Sequence, residues 1–189
     1  MAVVLALAAC GSPAPVTFDP DSPCTEDGAF PGAYPALEAM IPAAYESAGP
    51  GTLDSGRNCT AENLGSLAEA GFEEIRYAGG TWDFGGNRAA VLAVFSAPGL
   101  TADAIADFYA SSARVANRTQ VTGESTPTLA DRPGRRIDTS TGTRTQTVVV
   151  WPAAGPDTVN VVITNDLPDP KIQAAVDAFG GRRRGQARC

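Results

Sequence analysis

Residues 89–95 read Ala89-Ala90-Val91-Leu92-Ala93-Val94-Phe95, and this stretch decides the fold. All of its residues are apolar, so a strand formed here presents apolar side chains on both faces, since successive side chains in a strand point to opposite sides. Such a strand is typical of the centre of a covered sheet. We therefore predict a central strand over Arg88–Ser96, which ends before the chain-breaking Pro98-Gly99.

Further strand and helix patterns surround this central strand. Alternating or apolar runs predict strands, and capped amphipathic runs predict helices. The Asp54-Ser55-Gly56 sequence predicts a turn over Leu53–Thr60. The other predicted strands are Phe72–Ala78, Thr119–Thr126 at an edge, Arg135–Thr139, Thr143–Trp151 and Thr158–Thr164. The predicted helices are Ala36–Met40, Ala61–Ala70, Ala102–Asn117 and a last helix that begins at Asp169.

The connections between the strands indicate how the sheet is built. Short turns join most of the predicted strands, whereas a parallel crossover needs a dozen or more residues. We therefore expect an α+β fold, with an antiparallel sheet of about 5–6 strands and helices packed on one face. This order of elements is similar to the layout of PsbP-like domains, which also occur as lipoproteins. The segments Leu53–Thr60 and Gly79–Asp83 resemble those of uncharacterised extracytoplasmic bacterial lipoproteins, a resemblance that implies no particular function.

The segment Gly79–Asn87, which joins two of these strands, is the best candidate for a ligand or partner loop. Two glycine pairs bracket its central residues Trp82, Asp83 and Phe84. Aromatic side chains on a glycine-hinged loop can fold over a ligand. In the second interpretation, which we favour, the segment is a hairpin loop whose aromatic side chains cap the end of the core. The glycines do not form a phosphate-binding loop, because no Gly-Lys-Ser/Thr sequence follows them.

A motif of a different kind lies near the N-terminus. The run Met1–Ala9 is wholly apolar, as the core of a signal peptide is. Its last residues, with the next, read Leu7-Ala8-Ala9-Cys10 and resemble the lipobox of bacterial lipoprotein precursors. The resemblance implies that the signal peptide is cut before Cys10, that Cys10 is lipidated, and that the protein is anchored to the cell envelope outside the cytoplasm. No Lys or Arg precedes the apolar run, which departs from the usual signal peptide. The alternative is a buried strand with a chance cysteine, which Pro13 and Pro15 disfavour.

The lipoprotein resemblance sets the predicted boundaries within the chain. Residues 1–9 are the remnant of a signal peptide, and residues 10–35 are the lipidated cysteine and a Pro-rich tether. Residues 36–181 are expected to form a single α+β domain. Residues 182–189 are expected to form a basic tail.

The remaining cysteines divide into a pair and a single residue. Cys24 and Cys59 are the predicted disulfide partners in an oxidising exterior. Two free thiols are the alternative for this pair. Cys189 is the last residue and is predicted to be a free thiol.

Composition narrows the classes of function. With 14 Lys and Arg against 21 Asp and Glu, the formal charge is −7, which disfavours nucleic-acid binding. The sequence has no histidine, which removes Ser-His and Cys-His nucleophile pairs and most zinc and haem sites. We predict no catalytic residues, no metal ligands and no cofactor. No apolar run is long enough for a membrane-spanning helix, so the predicted contact with a membrane is the lipid anchor alone.

Three functions stay open at this point. We favour a membrane-anchored, extracytoplasmic, non-enzymatic lipoprotein that binds a protein partner or an envelope component. The first alternative is a lipoprotein that captures a small ligand with the Gly79–Asn87 loop, and the second is a hydrolase that uses a pair of carboxylates. A flat, exposed apolar patch in the structure would favour binding of a protein partner. A cavity beneath the loop would favour capture of a small ligand, and two carboxylates that face each other across a cleft would favour a hydrolase.

Overall fold

The computed structural model describes residues 18–129 and 132–180. Cys10, the predicted signal peptide over residues 1–9 and the predicted basic tail over residues 182–189 lie outside the described residues. Among the helices of the described chain, none combines the length and the apolarity that a membrane crossing requires.

The described chain forms one large antiparallel sheet and five helices. The strands are β1 (Gly28–Phe30), β2 (Thr52–Asn58), β3 (Ile75–Asp83), β4 (Ala89–Ser96), β5 (Thr119–Ser125), β6 (Thr128–Leu129), β7 (Arg132–Pro133), β8 (Arg135–Thr141), β9 (Arg144–Pro152) and β10 (Thr158–Asn165). The helices are α1 (Pro35–Glu38), α2 (Ala61–Leu64), α3 (Ser66–Glu69), α4 (Ala102–Val115) and α5 (Asp169–Gly180). The α+β class is therefore confirmed. The predicted count of strands is too low, because the sheet has eight strands and β6–β7 form a separate ribbon.

Two antiparallel meanders make up the sheet, whose strand order is β1-β2-β3-β4-β10-β9-β8-β5. The first meander runs from β1 to β4, and α4 then carries the chain to the far edge at β5. The second meander returns through β8 and β9 to β10, which pairs with β4 and places Val161 opposite Ala93. The stretch Ala89–Phe95 thus lies at the centre of the sheet, and Thr119–Ser125 lies at an edge, as predicted.

Helices cover both faces of the sheet. Leu92 of β4 packs in one cluster with Ile172 of α5, on what we call the α5 face. Its neighbour Ala93 packs in a second cluster with Ile105 of α4, on what we call the α4 face. The prediction of helices on one face is therefore wrong. A central strand that is apolar on both sides needs cover on both sides, because either face would otherwise expose apolar surface to water.

Close contact between strands explains the wrongly predicted turn over Leu53–Thr60. This segment forms β2, which pairs with β1 and β3. A Cβ atom added at Gly56 would lie 2.2 Å from the carbonyl oxygen of Gly28 and 2.8 Å from the Tyr77 hydroxyl. Glycine is thus needed here for the close approach of neighbouring groups rather than for a turn.

The helix predicted over Ala61–Ala70 divides into α2 and α3. The division falls at Gly65, whose φ of +50° is a left-handed conformation that glycine adopts readily. Thr60 caps α2 by accepting a hydrogen bond from the Asn63 amide, as the sequence predicted.

The tether predicted over residues 10–35 is wrong from residue 18 onward. Phe18 is 7% exposed, and the Arg57 guanidinium lies 4.5 Å from the centre of its ring. Arg57 Nη1 donates a hydrogen bond of 2.8 Å to the Ser22 carbonyl oxygen. This segment packs because Phe18 and its aromatic neighbour Phe30 bury apolar surface together, with ring centroids 5.2 Å apart. The folded body thus includes the residues from 18 onward rather than starting at residue 36.

A disulfide between Cys24 and Cys59 holds this N-terminal segment to the sheet, as predicted. Beside it, Asp27 accepts hydrogen bonds from the backbone amides of Cys59 and Thr60, at 2.6 and 3.0 Å, and from the Asn63 side chain at 2.6 Å. Burial acts to raise the pKa of Asp27, but these bonds and one from the Thr60 hydroxyl outweigh it and lower the pKa to about 2. The Asp27 carboxylate therefore joins β1 to the start of α2.

Candidate ligand-binding groove

A polar groove lies at one end of the sheet, on the α4 face. The chain reverses direction at this end in three places, namely between β3 and β4, between β8 and β9, and after β10. The inner part of the groove lies beneath α4 and the outer part beside the β3–β4 turn, and each has a volume of about 440 Å³. The two parts share Asn87, Arg144 and Asn165 and are together called the α4 groove.

The strands change from apolar to polar as they reach this end. Alternate residues of a strand lie on the same face, so two residues that are two positions apart in a strand can both lie on the α4 face. Further from this end, the apolar residues pack against α4, and at the end itself polar residues line the groove. On this face the change from an apolar to a polar residue occurs between Ile163 and Asn165 in β10, between Val148 and Gln146 in β9, and between Ile137 and Thr139 in β8.

A pair of side-chain amides lines the groove where β9 and β10 meet. Gln146 Nε2 donates a hydrogen bond of 3.1 Å to Asn165 Oδ1. The buried Thr139 hydroxyl donates a bond of 3.4 Å to the Gln146 carbonyl oxygen. Since each amide has both donors and acceptors, the pair holds its orientation and keeps further hydrogen-bonding groups for a ligand.

Three arginines without a carboxylate partner among the described residues lie at this end. Within the described part of the chain, the Arg144 side chain makes no hydrogen bond or ion pair, and Arg88 and Arg118 have no carboxylate partner. Four other arginines form ion pairs, namely Arg76, Arg114, Arg135 and Arg136. The negative charges at this end are the Asp83 and Asp166 carboxylates and about half a charge from the C-terminus of α4. The arginines therefore make the local potential more positive than the net charge of the chain implies.

Two carboxylates stabilise the turns around the groove. Asp83 Oδ1 accepts a hydrogen bond of 2.8 Å from the Gly85 amide. Asp166 Oδ1 accepts bonds from the amide and the hydroxyl of Thr145, at 2.8 and 3.3 Å. Asp166 and Asn87 have φ values of +50° and +68°, which Asp and Asn tolerate better than most residues. Both carboxylates thus hold the backbone around the groove.

Tyr109 lies on the α4 side of the groove. Its ring packs edge to face with that of Phe108, at a centroid distance of 5.3 Å. Burial raises the pKa of the Tyr109 hydroxyl well above its ordinary value, so the group stays neutral and able to donate a hydrogen bond. Ala113 and Ala116 of the same helix segment add an apolar strip.

The predicted loop residues separate between the two faces. Trp82 is 3% exposed, and its Nε1 donates a bond of 2.8 Å to the Ala48 carbonyl oxygen. Phe84 packs against Tyr45, with ring centroids 5.7 Å apart. These aromatic side chains therefore cap the core, as in the interpretation favoured from the sequence. The loop is shorter than predicted because β3 extends to Asp83. Asp83 is the predicted residue that lines the α4 groove.

Most residues of the groove were not among the predicted site residues. Asn87 ends the predicted loop but is not among its predicted site residues. Arg144 and Gln146 lie in the predicted strand Thr143–Trp151, and Asn165 directly follows the predicted strand Thr158–Thr164. The polar residues at the strand ends were a usable signal, because they interrupt apolar alternation on one face. Their convergence depends on the pairing of β4 with β10.

A second and mainly apolar cavity lies on the α5 face, with a volume of about 340 Å³. Leu129, Ile172 and Val176 are among its lining residues. An ion pair of 2.8 Å between Arg136 and Asp169 lies beside them. This cavity is the main competitor of the α4 groove as a ligand site.

No group of three or more His, Cys, Asp or Glu within residues 18–129 and 132–180 has the arrangement of a metal site.

Comparison with protein-family models gives no match for this chain, and comparison with curated proteins also finds no matching sequence.

Proposed function

We propose that this chain is a lipid-anchored, extracytoplasmic, non-enzymatic binding protein that captures a small polar ligand in the α4 groove. The observation that carries the proposal is the cavity beside the β3–β4 turn, which Asp83 and Asn87 line together with Arg144 and Asn165. A cavity at this place favours a small ligand over the protein partner that the sequence analysis preferred.

The size and chemistry of the groove fit this class of ligand. A volume of about 440 Å³ lies in the usual range for small-molecule sites. Amide groups, hydroxyls and a guanidinium line it, and such groups fix the orientation of a polar ligand. The Asp83 and Asp166 carboxylates hold backbone turns, which supports binding rather than hydrolysis.

The position of the proposed lipid anchor suits an open groove. Phe18 packs against Gly28, which is opposite Arg57, at the end of the sheet away from the groove. Cys10 and Phe18 are eight positions apart, which limits their separation to about 29 Å. A lipid on Cys10 would therefore attach the chain to the membrane through Phe18, at the end of the sheet opposite the α4 groove.

Side-chain amide resonances test the proposal directly. The full chain, labelled with ¹⁵N, is titrated with a set of neutral, acidic and basic hydrophilic fragments. We expect shift changes at the side chains of Asn87, Gln146 and Asn165. Ser112→Trp, which fills the groove, should abolish these changes. Val115→Trp is the matched control on the same helix, because Val115 is 85% exposed and does not line the groove.

Two results would contradict the proposal. In the first, the fragments shift the backbone amide resonances of Ile172 and Val176, beside the apolar cavity, and leave the side-chain amide resonances of the groove unchanged. In the second, Ser112→Trp binds the fragments as well as the native chain does.

A further inference from the structure

We propose that the ligand of the α4 groove is a hydroxyl-rich anion, such as an acidic sugar or a sugar phosphate, whose charged group binds to Arg144. This inference rests on the proposed function and names the ligand class for the same groove. It follows from the position of Arg144 in the groove, from the lack of a carboxylate partner for its guanidinium, and from the neutral polar groups that line the groove.

Arg144 stands where the two parts of the groove meet. It is the first residue of β9, opposite Thr141 of β8, and it lines both the inner and the outer part. The residue is exposed, and within the described chain its guanidinium has no hydrogen bond or ion pair. A guanidinium offers five donors in a planar fork that matches a carboxylate or a phosphate group. Arg144 is therefore available to bind an anion from either part of the groove.

Comparison with Arg135 shows what is unusual about Arg144. Arg135 lies within 3.1 Å of Asp103, 3.7 Å of Asp107 and 3.6 Å of Glu124, so carboxylates surround its charge. The two carboxylates that line the groove, Asp83 and Asp166, accept hydrogen bonds from backbone amides and form no ion pair with Arg144. The charge of Arg144 is thus left for a ligand.

Neighbouring cations strengthen the attraction for an anion. Arg88 follows the β3–β4 turn, and Arg118 lies between Ala116 and Thr119, which both line the groove. Neither side chain has a carboxylate partner among the described residues. Positive charges on one side of a molecule act together on an approaching anion, and this attraction weakens as the salt concentration rises.

The neutral groups of the groove match hydroxyls. The amides of Asn87, Gln146 and Asn165 and the hydroxyls of Thr139 and Thr145 each donate and accept hydrogen bonds. A sugar hydroxyl also does both, so each can pair with such a group. The Tyr109 ring and the alanines of α4 offer the apolar surface on which the carbon-bound hydrogens of a sugar ring pack.

Four probes separate the parts of this inference. The full chain is titrated with D-glucuronate, D-glucose 6-phosphate, D-glucose and inorganic phosphate, with the groove amides as the readout. We expect at least one of the two acidic sugars to bind about tenfold or more tightly than both glucose and inorganic phosphate, because a charge-assisted bidentate bond adds to the hydroxyl contacts. The preferred acidic sugar identifies the charged group as a carboxylate or a phosphate.

Variants at Arg144 test its role. Arg144→Gln should weaken binding of the preferred acidic sugar about tenfold and leave glucose binding unchanged, and Arg144→Lys should restore part of the loss. The matched control is Arg76→Gln, which makes the same change of charge at the far end of the sheet. Thermal unfolding of each variant checks that the chain stays folded.

Several outcomes would overturn the inference. If glucose binds as tightly as the acidic sugars, the negative charge of the ligand is not recognised. If inorganic phosphate binds as tightly as the acidic sugars, the hydroxyl groups of the ligand are not recognised. If Arg144→Gln leaves the affinity unchanged, Arg144 does not bind the charged group. Failure of every probe also overturns it. The fragment titration of the groove amides still decides the proposed function separately in each case.

Discussion

Trp82 and Asp83 are neighbours in β3, and their side chains lie on opposite faces of the sheet. The Trp82 indole donates a hydrogen bond of 2.8 Å to the Ala48 carbonyl oxygen and packs among core residues on the α5 face. The Asp83 carboxylate accepts a bond of 2.8 Å from the Gly85 amide and lines the α4 groove. Adjacent residues therefore serve stability on one face and the groove on the other.

The first prediction contrasts these two residues. Trp82→Ala should lower the free energy of unfolding by about 3–5 kcal/mol, because it removes a large buried aromatic side chain. Asp83→Ala should lower it by only about 0.5–1.5 kcal/mol, since it removes one exposed hydrogen bond. Urea unfolding of both variants measures the difference. Equal losses in the two variants would contradict the assignment of Trp82 to the core.

The second prediction concerns pH and Asp27. Its folded-state pKa of about 2 is below the ordinary value of 3.8, so the carboxylate stabilises the fold above about pH 4, and this contribution is lost as the pH falls towards 2. Asp27→Asn should lower the free energy of unfolding by about 1–3 kcal/mol at pH 7. The gap to the native chain should narrow between pH 4 and pH 2. A gap that stays constant over this interval would show that the charge is not involved.

The third prediction concerns the disulfide. The double change Cys24→Ser and Cys59→Ser should lower the free energy of unfolding by about 2–4 kcal/mol, because the unfolded chain loses a constraint. Hydrogen exchange should quicken first in β1 and the segment before it, whereas β4 and β10 at the sheet centre stay protected. Exchange that quickens equally in β1 and β10 would contradict this local role.

The fourth prediction concerns the lipid anchor. The intact mass of protein extracted from membranes should show an acylated N-terminus at Cys10, and Cys10→Ala should give an unprocessed or soluble form. Cys189→Ala is the matched control and should keep the lipid. Recovery of Met1–Ala9 attached to an unmodified Cys10 would refute lipidation.

Local patterns were enough to place the central strand and the long helix α4. The apolar run at Ala89–Phe95 needs burial on both sides, and Thr101 caps α4 by accepting a hydrogen bond from the Ala104 amide. That need for cover on both sides was not applied to the helices, which were predicted on one face because the inference from short connections considered only how strands pair. β2 was missed because Asp54-Ser55-Gly56 resembles a turn, and its close approach to β1 and β3 is a tertiary feature.

The groove was predictable only in part. Asp83 lies in the segment that the sequence analysis selected, but the aromatic residues beside it, which motivated the selection, belong to the core. Asn87 and Arg144 come from segments far apart in the chain, and they meet because β10 inserts between β4 and β9. No local pattern encodes that pairing, so polar residues at the strand ends were not recognised as one site.

The most direct test of the α4 groove as the ligand site is a crystal structure of the full chain with the tightest-binding hydrophilic fragment. We predict difference density for the fragment between the C-terminal half of α4 and the side chains of Arg144, Gln146 and Asn165. Density for the fragment beside Ile172 and Val176 in the apolar cavity, with none in the α4 groove, would contradict the account.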